Sequence, residues 1–281
     1  MTPSSVEINR LRKEIFLAAY CGGVGHLASA FSIVEILYTL YCSNVMRYNA
    51  NNPDWPDRDY FILSKGHGSL ALYAVLSEAG FFPKSELWSF CRPNGLLGGE
   101  PHCLDIPGVE ASTGSLGHGL SIGVGMALAL KSDCKPNHVY VLVGDGECQE
   151  GSIWEAVMSA AAFELNNLTM IVDNNRIQKM DFVRNIMGSD DLSEKIAVFG
   201  WQVKRADGHN CAAIKSALTD GWGSKCKPRC LIAETVKGKG ISLMENNPSW
   251  HWRMPNKKEI KTFMSELSIS QEELDKCKRP I

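Results

Sequence analysis

No stretch of this sequence is apolar for long enough to cross a bilayer. The nearest, GLSIGVGMALALK, is short, glycine-rich and closed by Lys131. Its small residues (Gly119, Gly123, Gly125, Ala127, Ala129) suit a buried helix packed closely on a sheet or a neighbouring subunit. Charge of one sign is also lacking. The 29 Lys and Arg against 31 Asp and Glu leave a net −2, which argues against a nucleic-acid groove or a polybasic membrane surface. A secretory signal is not expected, because the first apolar residues are interleaved with Arg10, Arg12, Lys13 and Glu14, so the expected location is cytoplasmic. Ser4 with Glu7 has the spacing of a capping box that opens an amphipathic helix.

Cysteine is present without a framework. The ten cysteines are scattered, and the closest pair, Cys226 and Cys230, has no second pair or nearby His to complete a zinc site. Free thiols in a reducing cytosol are expected throughout. Nucleotide fingerprints are missing as well: there is no G-x-x-x-x-G-K-[ST], and the KGKG at Lys237 to Gly240 lacks the spaced glycines and hydroxyl of a phosphate loop. It reads as a turn, with Lys237 and Lys239 solvated. Neither internal repeats nor low-complexity linkers interrupt the chain.

What is present is a chain of 281 residues, 44% hydrophobic, enough to bury a full core. Helical patterns such as FSIVEILYTLYCS, GSLALYAVLSEAG and GSIWEAVMSAAAFEL alternate with short apolar runs such as DYFILSK, HVYVLVG, LTMIVD, WQVKRAD and RCLIAETV. This alternation predicts an α/β fold, doubly wound, with a mostly parallel sheet and helices on both faces. A single domain over 1–281 is the simplest count, with 256–281 as a charged C-terminal surface helix.

Two of the buried runs end in chemistry. The first breaks at Gly144-Asp145-Gly146 and the second, about thirty residues on, at Asp173-Asn174-Asn175. In an open parallel sheet, ligands sit beyond the carboxyl ends of the strands, so Asp145 and Asn175 are presented on one edge and can meet around one ion. A carboxylate, an amide oxygen and a backbone carbonyl are hard ligands that suit Mg²⁺ or Ca²⁺. Gly144 and Gly146 allow close approach of a phosphate, and the helix after Gly151 offers oriented N–H groups. These features describe a metal-bridged diphosphate. GDG alone would be read as a capped turn; the Asn-Asn after a second strand reverses that reading.

The GDG and NN pair resembles the diphosphate-binding motif of thiamine diphosphate enzymes, and GDGECQEGSIWEAVMSAA resembles transketolases. The segments DRDYFILSKGHGSLALYA, PGVEASTGSLGHGLSIGVGMALA and ETVKGKGISLMENNPSWHW agree, from about residue 10 to residue 255 in unbroken order. The resemblance implies a thiamine diphosphate-binding fold and its diphosphate-binding domain. It covers half of a full-length transketolase, so the chain is expected to be the N-terminal subunit of a split enzyme. The partner would be a C-terminal subunit that holds the aminopyrimidine ring and supplies the activating glutamate, in an α2β2 assembly.

By the same resemblance, Asp145 and Asn175 bind Mg²⁺ or Ca²⁺ through side chains and Ile177 through its carbonyl. Gly144, Gly146 and Glu147 face the diphosphate, and Gly114, Ser115 and Leu116 line the cofactor rings. Glu150 lies at a subunit interface and couples paired sites. His26, His67 and His251 match active-site histidines, of which His67 and His251 also touch cofactor. Imidazoles move protons on and off sugar hydroxyls well near neutral pH, and the implied reaction passes a two-carbon ketol unit from a ketose to an aldose.

Three departures stand out. Glu100 occupies the position of a substrate-binding histidine, with His102 two residues on. His118 stands in LGHG where the family has a glutamine, near the cofactor. Trp252 replaces a small residue after His251. Cofactor binding is expected to survive these changes, whereas substrate choice is open: either Glu100 faces the substrate, or it turns outward and His102 replaces the imidazole. Two other readings remain at this stage: a related decarboxylase or carboligase of 2-keto acids, and a cofactor-holding regulatory subunit without turnover.

Overall fold

The computed structural model describes residues 5–188 and 191–277. Among these, five strands form one parallel sheet: β1 (Tyr60–Leu63), β2 (Val139–Gly144), β3 (Leu168–Asn174), β4 (Gln202–Asp207) and β5 (Arg229–Glu234), in the order β1-β2-β3-β5-β4. Alternate side chains of each strand point to opposite faces, and both faces are buried. Phe61, Leu63, Tyr140, Leu142, Ile171 and Leu231 join one core with the helices Ser5–Gly22, Val34–Cys42, Ser69–Glu78 and Cys211–Thr219. Ile62, Val141, Val143, Met170, Val172 and Ile232 join a second core with His118–Ser132, Gly151–Ala162 and Leu192–Val198. The runs of β2, β3 and β5 are continuously apolar because neither face meets water. β4 differs: it lies at the edge of the sheet opposite β1, paired to β5, and its residues are half-buried or exposed. Its polar sequence follows from that edge position.

Register aligns the strand ends that matter. Leu63 pairs with Leu142, Gly144 with Asp173, and Asn174 with Glu234. The segments leaving β1, β2, β3 and β5 therefore emerge together on one edge.

Three expectations are corrected. The cysteines are not all free: Cys21 and Cys277 form a disulfide, joining the first helix to the last one described, while the other eight remain thiols. The two residues are 256 positions apart, a proximity that spacing along the chain cannot reveal. The C-terminal stretch is not a solvated surface helix. It forms two short helices, Ile260–Glu266 and Gln271–Lys276, and Phe263, Leu267, Ile269 and Leu274 enter the first core. Lys237 is not solvated but 2% exposed; Lys239 is the surface lysine, paired with Glu245. Ser4 of the expected capping box and residues 278–281 lie outside the described residues. No described helix is long and apolar enough to cross a membrane.

Candidate active site

The edge of the sheet presents a buried electrostatic cluster. Asp173, near the end of β3, has no exposed surface and accepts hydrogen bonds from Lys65 Nζ at 2.5 Å, Ser32 Oγ at 2.8 Å, Asn175 Nδ2 at 2.8 Å and Thr235 Oγ1. Burial opposes its charged form, but Lys65 outweighs that cost and holds the carboxyl below its usual range. The cluster gathers residues that follow β1, β3 and β5, so a charge on one strand end fixes three segments.

Asp145 follows β2 and is 5% exposed. Its carboxylate accepts from Gly146 N at 2.7 Å and from Arg176 N, so the turn after β3 folds over it. Arg176 takes a left-handed φ of 65° to make this possible. Asn175 Oδ1 then accepts from Ile177 N at 3.1 Å. Of the three oxygen donors named from sequence, Asn175 and Ile177 therefore lie in one turn, folded over the third, Asp145. Among the described residues no cation is paired with Asp145, and burial, then the neighbouring Asp173, pushes its carboxyl up to about 7. A buried carboxylate beside an amide oxygen and a carbonyl fits a hard divalent cation, which would supply the missing charge. Among the described residues no three His, Cys, Asp or Glu side chains form an alternative metal cluster.

Lys237 lies across this turn. Its ammonium donates to Ile177 O at 2.9 Å and to His251 Nδ1 at 3.0 Å, and burial, then the positive Lys65, lowers its pKa to about 8. It places a cation between the turn of residues 175–177 and the histidines, where a phosphate oxygen would be well received. Behind it, His209 Nε2 accepts from Val236 N at 2.8 Å. That bond leaves the proton on Nδ1, which donates to Glu35 at 3.1 Å. Glu35 also receives Arg12 Nη2 at 2.7 Å. A buried relay from the first helix thus fixes the backbone next to Lys237.

His26, His67 and His251 form a triangle with ring centroids 5.3, 5.6 and 5.5 Å apart. All three are driven toward the neutral form. Burial, then Lys237 and Lys65, lowers His26 to about 4; burial, then Lys237 and His26, lowers His251 to about 3; and burial, then Lys65, brings His67 well below the ordinary value. A neutral imidazole presents one N–H donor and one acceptor nitrogen. Trp252, itself 61% exposed, stacks on His26 at 5.9 Å.

The remaining sequence candidates separate. Glu147 is not merely a backbone donor: its buried carboxylate accepts from Ser64 Oγ at 2.5 Å, Gly117 N at 2.9 Å and Gly144 N at 2.9 Å. It braces the loop containing Gly114, Ser115 and Leu116 against the ends of β1 and β2. Leu116, His118 and Glu150 are exposed. Glu100 is exposed, with its carboxylate resting against Gly66 and Gly114; a side-chain carbon on Gly66 would meet Oε2 at 2.3 Å. His102 is not brought to the triangle; it pairs with Asp105 at 2.9 Å on the surface, with half of its side chain exposed. The sequence reading missed Lys65, Asp173, the buried role of Lys237 and the relay through His209. The usable signal was a charged residue at the end of an apolar run, as in FILSK and MIVD.

A cleft of about 1010 Å³ opens beside Asp145 and Asn175, walled by Trp154, Phe182, Met187 and Phe199. The histidine triangle and Glu100 stand outside it.

Residues 18–274 match the family model described as the transketolase thiamine diphosphate binding domain. The chain is 41% identical over 229 residues to the 6-deoxy-6-sulfo-D-fructose transketolase subunit SqwG of Clostridium sp. strain MSTE9, covering 82% of this chain and 83% of that one. It is 39% identical over 256 residues to an apulose-4-phosphate transketolase subunit from Actinobacillus succinogenes, covering 91% and 92%. Among solved structures, transketolase from Leishmania mexicana superposes with a TM-score of 0.85 at 25% identity, over 99% of this chain but 45% of that one. The chain spans less than half of that longer protein.

Proposed function

Because the chain belongs to the transketolase family, as a thiamine diphosphate-binding half, we propose that it is the N-terminal subunit of a two-subunit transketolase in the cytoplasm. In this reading it holds thiamine diphosphate and Mg²⁺, and works with a C-terminal subunit in an α2β2 assembly to move a two-carbon ketol unit from a ketose to an aldose. The observation that carries the reading is the turn of residues 175–177 folded over Asp145, beside the neutral histidine triangle.

Asp145, Asn175 and the Ile177 carbonyl would hold the metal, and Lys237 would meet the diphosphate. When bound, the cofactor supplies a carbon nucleophile that takes up the donor's two-carbon unit. The protein's own contribution is proton traffic and placement. His26, His67 and His251, held neutral by burial and by the lysines, accept a proton from a donor hydroxyl as its C–C bond breaks. They return one to the acceptor as the new bond forms. Lys65 and Asp173 keep the β1 and β3 ends in register so that the triangle and the metal turn share one reference frame. The retained triangle favours turnover over a purely cofactor-holding role.

The experiment is a titration of thiamine diphosphate with Mg²⁺ into the chain assembled with its C-terminal subunit. Asp145→Ala should weaken cofactor binding by more than about 100-fold, beyond the range typical of outer-shell partners. Near wild-type affinity would refute the metal assignment. The purified chain alone should show no ketol transfer, and robust turnover without a partner would refute the split-enzyme reading.

A further inference from the structure

Glu100 lies against Gly66, next to His67, with nothing to bond among the described residues. Ser69 Oγ donates to Gly99 O at 2.7 Å and Tyr73 OH to Glu100 O at 2.9 Å, while Thr113 N donates to Pro101 O at 3.3 Å. The backbone on both sides of Glu100 is therefore anchored, and its side chain is aimed by the fold. Its Oε2 lies against Gly66, the residue before His67, and against Gly114; a side-chain carbon at Gly114 would meet it at 3.2 Å. No described residue donates a hydrogen bond to this carboxylate or pairs with it. Burial alone raises its pKa, in keeping with the lack of a compensating charge. The site's two buried lysines are directed elsewhere, Lys65 to Asp173 and Lys237 to Ile177 O and His251.

We propose that Glu100 is a specificity-determining residue that admits donors bearing neutral hydroxyls at the reacting end and excludes 2-keto acids. The inference rests on the ketol-transfer reading above. An ionised carboxylate only accepts hydrogen bonds, so a hydroxylated ketose satisfies it. A 2-keto acid carries its own carboxylate on the carbon next to the reacting carbonyl. Two like charges brought within a few ångströms, where no described residue pairs with the Glu100 carboxylate, disfavour binding on the order of 100-fold. The same repulsion closes the route to 2-keto acid decarboxylation that the sequence left open.

The test compares a neutral ketose, L-erythrulose, with hydroxypyruvate, a 2-keto acid that shares its hydroxymethyl ketone. Wild type and Glu100→Gln, each assembled with the C-terminal subunit, are loaded with thiamine diphosphate and Mg²⁺. Gln keeps size and an acceptor oxygen but removes the charge. The ratio of kcat/KM for L-erythrulose over hydroxypyruvate should fall by about 10-fold or more in Glu100→Gln, with cofactor affinity unchanged. An unchanged ratio overturns the assignment. If wild type turns over neither donor, the ketol-transfer reading falls, and Glu100 is then judged by saturation-transfer NMR on the same loaded complexes. Tighter hydroxypyruvate binding to Glu100→Gln than to wild type supports the exclusion; equal binding overturns it.

Discussion

At the scale of single residues, the site depends on charges placed where water cannot reach them. Lys65 and Asp173 are 2% and 0% exposed, and each would be costly to bury alone. Their pairing, completed by Ser32, Asn175 and Thr235, is what lets β3 carry a carboxylate inside the protein. Removing one member leaves the other buried and uncompensated. Lys65→Met should therefore destabilise the chain by about 3–5 kcal/mol, read as a lower urea midpoint. The double variant Lys65→Met with Asp173→Asn should recover part of that loss, because no orphaned charge remains. A loss below about 1 kcal/mol in the single variant would show that the pair is not structurally coupled. Glu35 works by the same logic: burial opposes its charge, but His209 and then Arg12 hold it ionised.

At the scale of elements, the helix His118–Ser132 is placed by its glycines. A side-chain carbon at Gly123 would meet Val141 Cγ2 at 2.5 Å, whereas one at Gly125 would meet nothing within 4 Å. The helix lies so close to the sheet because one of its faces has no side chains there. Gly123→Ala should force helix and β2 apart at a cost of about 1–3 kcal/mol. Gly125→Ala removes unfolded-state freedom at an open helical position and should stabilise the isolated chain by about 0.4–1 kcal/mol. Thermal melts of the two variants should shift in opposite directions; equal shifts would contradict the packing. The same close approach brings Gly119 onto Ser64, and Ser64 with Glu147 ties the loop before the helix to the strand ends.

At the scale of the whole molecule, four histidines are held neutral by the fold. His26 and His251 are lowered to about 4 and about 3, His67 well below the ordinary value, and His138 to about 3 by burial and then by Arg229. Below the unfolded value of about 6.5, the unfolded chain binds protons that the folded chain does not. The histidines' contribution to stability is thus complete above a pH of about 6.5 and is lost as pH falls toward about 4 and then about 3. Asp145, raised to about 7, acts in the opposite sense, so the net slope alone does not isolate them. His138 does, since it bonds Thr169 at 2.8 Å away from the site. In urea titrations from about pH 7.5 to about pH 5, His138→Gln should flatten the acid-side loss of stability relative to wild type by up to about one proton. Parallel curves would show that His138 titrates normally when folded.

The local order of the chain was legible in its residues. Apolar runs and helical periodicity determined the alternation of strands and helices, because each run must bury its side chains whatever lies next to it. The resemblance of GDG, NN and the histidine motifs to transketolases pointed to Asp145, Asn175, Ile177, His26, His67 and His251. What only the tertiary structure decided is which charges become buried and which partners they meet. Lys237 reads as a solvated turn lysine until Ile177 and His251 close over it. Cys21 finds Cys277, Asp173 finds Lys65, and Glu100 comes to rest against Gly66 and Gly114, all through contacts between residues distant in the chain. Local sequence specifies period and turn chemistry within a few residues, whereas burial and electrostatic partnership are properties of the assembled packing.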